Sequence, residues 1–170
     1  YEDIILGIFA LKEQIEKLEG DTIGIMFPAG VAAHTFYFAA LFAGKTPVMV
    51  NWTTGVSNIK YSMENVGVKH IITSTVLLQK LKSQGMDLDG LSDYFLPVET
   101  LAKQITVTKK IKALLKSKLS WRSLRKASVR ETAVILFTSG SESKPKSVPL
   151  THENILANIR DMGKVLTITN

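Results

Sequence analysis

The chain has 170 residues, enough for one domain with a substantial core, and its 45% hydrophobic and 21% charged residues are typical of a globular protein. It contains no cysteine, which excludes disulfides, thiol catalysis and thiolate metal sites and is consistent with a cytoplasmic location. The formal net charge is +6, yet nine Lys and Arg with no Asp or Glu lie between Lys109 and Arg130, so a general nucleic-acid-binding surface is not expected.

The first half of the chain alternates between helical and strand-like patterns. Apolar residues recur at helical spacing among charged ones at Ile4, Ile8, Leu11, Ile15 and Leu18, and Gly20 stands where a helix would end. Three short apolar runs then predict strands at residues 22–27, 46–51 and 69–73. A predicted helix follows each strand, at residues 31–43, 58–66 (with Ser57 as its N-cap) and 74–84.

This order of elements predicts an α/β fold with a mostly parallel sheet covered by helices. Strands that alternate with helices are joined by crossover connections, which parallel pairing requires. The predicted strands are apolar throughout rather than alternating, which indicates that both faces of the sheet are covered.

The middle of the chain is less regular. Residues 85–92 read as a loop, and one more short strand is predicted at 94–98, interrupted at Pro97. Residues 107–126 have a helical pattern, but Lys118 falls on its apolar stripe, so a break is expected near Ser117 or Ser120.

The last part contains a strand, a polar loop and a helix. The pattern predicts a buried strand at residues 132–137 and a short extended segment at 148–150. It also predicts a helix at 152–166 with Thr151 as its N-cap.

The loop at residues 138–147, Thr-Ser-Gly-Ser-Glu-Ser-Lys-Pro-Lys-Ser, carries the strongest chemical signal. Small residues allow backbone N–H groups to approach phosphate oxygens, hydroxyls add donors, and lysine adds positive charge. The loop lacks the Gly-x-x-x-x-Gly-Lys-Ser/Thr pattern of a Walker A motif. It therefore predicts a polyphosphate site of another kind, with an ordinary polar turn as the alternative.

The segments Phe137–Ser141, Pro145-Lys146 and Leu150–His152 resemble the signature region of the adenylate-forming (AMP-binding) superfamily. That superfamily includes acyl-CoA synthetases, luciferases and nonribosomal adenylation domains, and its usual loop reads Thr-Ser-Gly-Ser/Thr-Thr-Gly-x-Pro-Lys-Gly. Glu142 in place of the usual threonine, together with residues 51–56, looks like the acyl–acyl-carrier-protein synthetase domain of bifunctional 2-acylglycerophosphoethanolamine acyltransferases.

The resemblance implies a reaction, its substrates and a set of binding residues. A fatty acid would attack ATP to give an acyl-adenylate, and the acyl group would pass to the thiol of acyl carrier protein, with a link to lysophospholipid reacylation. Coenzyme A is the alternative acceptor. By the same resemblance Mg²⁺ would bridge the phosphates of ATP, and the residues that hold ATP would be Thr138, Ser139, Gly140, Ser141, Glu142, Ser143 and Lys146.

Two residues depart from the family pattern. Ser143 and Ser147 stand where the family usually has glycine, which allows a positive φ and a close approach of the backbone to a ligand. Serine is small and can donate to phosphate, so the site is expected to be retained. A non-catalytic binding or scaffold module with a degenerate loop remains the alternative of another class.

Several family motifs are absent from the sequence. A Tyr-Gly-x-Thr-Glu segment, a ribose-binding aspartate and a C-terminal catalytic lysine have no counterpart here. We therefore expect residues 1–170 to be a partial N-terminal domain that is inactive alone, and we assign no catalytic residue. No metal-ligand spacing links His34, His70 and His152, so no protein-held metal is expected.

The basic segment, residues 109–130, has three interpretations. It is a solvated helix face, a docking face for acidic acyl carrier protein, or a patch that contacts an anionic membrane at its cytoplasmic face. The membrane interpretation rests on the apolar residues that interleave with the basic ones, among them Leu115, Leu119 and Trp121.

Overall fold

A six-stranded sheet forms the centre of the computed structural model, which describes residues 2–119, 121–138 and 144–165. The strands are β1 (Thr22–Ile25), β2 (Thr46–Met49), β3 (Ile71–Thr73), β4 (Phe95–Pro97), β5 (Thr132–Phe137) and β6 (Ser147–Thr151). They lie in the order β4-β3-β1-β2-β5-β6, and every neighbouring pair is parallel except β5 and β6. The predicted mostly parallel sheet is confirmed.

Helices cover both faces of this sheet. They are α1 (Glu2–Glu16), α2 (Val31–Phe42), α3 (Val56–Asn65), α4 (Thr75–Ser83), α5 (Val98–Lys103), α6 (Val107–Leu119), α7 (Arg122–Arg125) and α8 (His152–Val165). On one face α1, α2 and α5 pack against the strands, and on the other α3 and α4 do so. A further layer, α6 and α7, packs on the outer side of α1, while α8 extends from the end of β6.

Strand β1 illustrates why both faces must be apolar. Successive side chains of a strand point to opposite faces. Ile23 and Ile25 accordingly contact the α1–α2 side, and Met26 contacts the α3–α4 side. At Gly24 an added Cβ would lie 2.8 Å from Cγ1 of Ile71 on the neighbouring strand, so only glycine fits this close approach.

The start of α3 differs from its prediction. The helix begins at Val56 with Gly55 at its N-cap position, not with Ser57 as the N-cap. Asn51 ends β2 with a turn, because its side-chain oxygen accepts from the backbone N–H of Thr53 at 3.0 Å and thereby caps the 3-10 turn Trp52–Thr54. Gly55, at φ 84°, then redirects the chain straight into the helix.

The break expected near Ser117 or Ser120 in the helical pattern of residues 107–126 is confirmed, because two helices form there. Helix α6 ends at Leu119 and α7 begins at Arg122. The indole N–H of Trp121 donates to the carbonyl oxygen of Ser117 at 2.8 Å, which ties the connection to the last turn of α6. Within the described ranges, no helix has the length and hydropathy needed to cross a bilayer.

Helix α5 was not predicted, and it places Glu99 at the start of α4. The backbone N–H of Thr75 lies 3.1 and 3.3 Å from the two carboxylate oxygens of Glu99, and the Ser74 hydroxyl accepts from Leu77 at 3.1 Å. Partial burial acts to raise the pKa of Glu99, but hydrogen bonds from its own backbone and from Thr75 outweigh burial and lower that pKa.

Replacing Glu99 with Gln is expected to reduce the free energy of unfolding by about 0.5 kcal/mol at neutral pH, because a negative charge at a helix N-terminus is stabilising. Because folding lowers the pKa of Glu99, its carboxylate stabilises the folded state at pH values above its ordinary pKa of about 4.5. This stabilisation is lost as the pH falls below that value. Urea unfolding at pH 7 and at pH 3 measures the loss of stability and its dependence on pH. Wild type and variant should converge at the lower pH, and a constant gap would contradict the assignment.

Candidate phosphate-binding loop and adjoining cleft

The loop after β5 is closed at its base by paired backbone groups. Phe137 lies opposite Ser147 in the β5–β6 ladder. One step further, the N–H of Thr138 donates to the carbonyl oxygen of Lys146 at 3.1 Å, and the N–H of Lys146 donates to the Thr138 hydroxyl oxygen at 3.2 Å. The loop therefore leaves and re-enters the sheet at one point, the carboxyl end of β5.

This closure determines which groups of Thr138 and Lys146 can reach a ligand. Both backbone N–H groups are engaged in the closure, but a hydroxyl oxygen that accepts a hydrogen bond can still donate its own hydrogen. The Lys146 side chain is exposed and carries a positive charge. A residue with a hydroxyl group and a residue with an ammonium group are thus neighbours at the sheet edge, and both groups are of the kind that binds a polyphosphate.

The second half of the loop is fixed to α3. The ammonium nitrogen of Lys144 lies 4.5 Å from the centroid of the Tyr61 ring, a cation–π contact. The next residue, Pro145, is buried. Lys144 is therefore used to hold the loop, while the Lys146 side chain is exposed.

A cleft of about 260 Å³ opens beside the loop. The end of β2 lines it with residues that include Asn51, α3 with Ser62 and Met63, and the β5–β6 connection with Phe137 and Pro145. In parallel sheets, ligands bind outside the carboxyl ends of the strands, which is where this cleft lies. The structure therefore places the loop and a cavity side by side at the expected edge.

The sequence-predicted binding residues divide into two groups. Thr138 and Lys146 come together at the carboxyl edge of the sheet. The others, residues 139–143, fall outside the described part of the chain, and their assignment to ATP stays a prediction. Sequence reasoning missed Tyr61 and Ser62, which α3 brings to the loop and the cleft. No motif marks them, because only the packing of α3 against the sheet places them there.

None of the three histidines is among the described residues that line this cleft. Strand β6 runs back along β5, so His152 follows Thr151 at the opposite, amino edge. Its Nε2 lies 3.1 Å from the carbonyl oxygen of Arg130. His34 Nδ1 lies 2.7 Å from the carbonyl oxygen of Gly30, within the first turn of α2. Neither arrangement reaches the cleft, and among the described residues no group of three His, Asp or Glu could hold a metal.

Comparison with known proteins identifies the family. Residues 10–169 match the sequence model described as AMP-binding enzyme. The chain belongs to this family. It is 25% identical to the long-chain-fatty-acid–CoA ligase of Bacillus subtilis over 162 residues, which cover 82% of this chain and 29% of that enzyme.

Solved structures of adenylate-forming enzymes share the fold. A fatty acyl-adenylate ligase from L. pneumophila, in complex with acyl adenylate and pyrophosphate, is similar with a TM-score of 0.67 and 18% sequence identity. The match covers 99% of this chain and 27% of the ligase chain. The o-succinylbenzoate CoA synthetase of Bacillus subtilis, in complex with ATP and magnesium ion, is similar with a TM-score of 0.67 and 18% sequence identity. The match covers 98% of this chain and 32% of the synthetase chain. This chain thus spans about a third or less of each.

Replacing Tyr61 with Leu should loosen the loop. An exposed cation–π contact contributes about 0.5–1 kcal/mol, so local opening should become roughly two- to fivefold more frequent. Hydrogen exchange of the Lys146 amide, followed by NMR, reports that opening. Tyr61→Phe keeps the aromatic face and serves as the control, and equal exchange in both variants would contradict the contact.

Proposed function

We propose that the protein containing this chain activates a fatty acid with ATP, forming an acyl-adenylate and pyrophosphate. The observation that carries the proposal is the backbone pairing of Thr138 with Lys146, which brings both residues to the carboxyl end of β5 beside a cleft. Membership of the AMP-binding enzyme family supports it, as do relatives named as fatty-acid ligases.

The proposed role of the loop is to position and neutralise phosphate rather than to make or break covalent bonds. In phosphoryl and adenylyl chemistry, most of the rate enhancement comes from orientation and charge stabilisation. Lys146 would neutralise charge on the β- and γ-phosphates as pyrophosphate departs, and the Thr138 hydroxyl would donate to a phosphate oxygen. Magnesium is proposed to enter with ATP as part of the substrate, bridging phosphate oxygens. Ser139, Gly140, Ser141, Glu142 and Ser143 are proposed to complete the phosphate contacts.

For the acyl acceptor we propose the thiol of acyl carrier protein, with lysophospholipid reacylation as the later use of the acyl group. Support comes from the resemblance at Glu142 and residues 51–56. Coenzyme A is the second candidate, and the CoA ligase of Bacillus subtilis, similar along most of this chain, favours it. The two acceptors are distinguished by which thiol the full-length protein acylates after fatty-acid activation.

The full-length protein with Lys146→Ala should lose about 100-fold in kcat/KM for fatty-acid-dependent exchange of pyrophosphate into ATP, because one charged donor to the departing group is removed. Lys146→Arg should retain more activity, since it keeps the charge. The matched control is Lys80→Ala, which removes an exposed lysine from α4 and should leave exchange unchanged.

Two results would contradict this proposal. Equal exchange rates in wild type and Lys146→Ala would remove the loop from the reaction. A wild-type full-length protein with neither ATP affinity nor exchange would instead favour a non-catalytic scaffold that keeps the fold.

We also propose that residues 1–170 alone form no acyl-adenylate, because the ribose-binding aspartate and catalytic lysine motifs of the family are not among them. The same exchange assay on this chain should give no fatty-acid-dependent signal. Measurable exchange would show that these residues suffice for adenylation.

A further inference from the structure

Helix α6 packs on the rest of the protein through its small and basic side rather than through its large apolar residues. Ala113 is only 3% exposed and contacts α1 beside Ile8 and Phe9. Lys109 and Lys116 lie on this side of α6, around the same contact with α1. Ala113 therefore anchors α6, and the buried Leu124 anchors α7 in the same cluster.

Apart from Leu114, which lines a cleft with Ile5 and Leu6 of α1, the large apolar residues of α6 lie on the other side of the helix. Successive residues of a helix are rotated by about 100°, so Ile111, Leu115 and Leu119 lie roughly opposite Ala113. All three are exposed, Leu119 at 78%. Together with the exposed Val107 and Trp121 they form what we call the α6 apolar face. Single exposed apolar residues are ordinary, but four along one helix with a tryptophan shortly after its end mark an interaction surface.

Basic side chains border the α6 apolar face. Lys110 and Lys118 are exposed, and Lys112 reaches Glu13 at 4.0 Å while its side chain remains 63% exposed. Glu2 and Asp3 line a cleft with Lys118 and Trp121, and Asp21 pairs with Arg130. Residues 109–130 carry nine basic side chains and no acidic one of their own.

We propose that the α6 apolar face, with its border of lysines, is a docking surface for an anionic lipid membrane. An apolar row inserts between headgroups, and lysines beside it contact the phosphates. Trp121 follows the row at the end of α6, and tryptophan is favoured at the boundary between apolar and aqueous regions. The surface lies on the outer helical layer, so its test is independent of the proposed adenylation.

An acidic protein is the competing occupant, and the exposed α6 apolar face argues against it. An acidic partner that contacted the lysines alone would leave an apolar row of this size without an apolar counterpart. A lipid surface satisfies both features together. Because α6 and α7 are anchored through Ala113 and Leu124, the surface is presented without unfolding any element.

The test is cosedimentation of this chain with vesicles of phosphatidylcholine alone and of phosphatidylcholine with phosphatidylglycerol. Binding should require the anionic lipid and weaken with added salt. The double variant Lys110→Gln with Lys118→Gln should lower the partition coefficient by about fivefold for each charge removed. Its matched control, Lys60→Gln with Lys80→Gln, makes the same change of net charge on α3 and α4 and should bind nearly as wild type.

The apolar contribution has its own pair of variants. Leu115→Ser with Leu119→Ser should lower partition by about tenfold, because both side chains lose contact with lipid. Val76→Ser changes an equally exposed apolar residue of α4 and should have no effect. All four positions changed in α6 are exposed, and circular dichroism should show unchanged folding.

A reporter within the otherwise wild-type chain gives an independent readout. Trp52 and Trp121 are the two tryptophans, so Trp52→Phe leaves Trp121 as sole emitter. Its emission should shift to shorter wavelength with anionic vesicles. Absence of vesicle binding at low salt, equal losses in the control variants, or a shift of Trp121 produced by acyl carrier protein but not by vesicles would each overturn the proposal.

Discussion

Strand β5 has one parallel and one antiparallel neighbour, and the arrangement of the candidate site depends on this. Parallel pairing with β2 puts the carboxyl end of β5 at the same edge as those of β1 and β2. Antiparallel pairing with β6 returns the chain at that same edge, where Thr138 and Lys146 close the loop. Had β6 been parallel, a crossover would have carried Lys146 to the other end of the sheet.

The two faces of the sheet serve different surfaces of the molecule. On the α3 side, packing of Met63 and its neighbours shapes the cleft and brings Tyr61 to the loop. On the α1 side, a second helical layer is held by Ala113 and Leu124 and turns its large apolar residues outward. A small residue at the contact allows α6 to approach α1 closely, and the remaining circumference of the helix is then available to another partner.

Much of the fold could be read from periodicity. The residues of β5 were predicted with their observed bounds, and Thr151 caps α8 as expected, since its hydroxyl accepts from Asn154 at 3.1 Å. Helix α5 was missed because six residues give too short a pattern. The start of α3 was misplaced because Gly55, with its positive φ, begins the helix without a side-chain cap.

For the site, the sequence alone determined which groups the loop can offer a ligand, because its hydroxyls, glycine and lysines follow from residue order. It also determined that the apolar residues of α6 share one side of a helix, since that follows from helical geometry. Only the tertiary structure decided that Lys144 lies on Tyr61 while the Lys146 side chain is exposed, and that α6 packs through Ala113. Those outcomes depend on contacts between residues far apart in the chain, which local pattern does not encode.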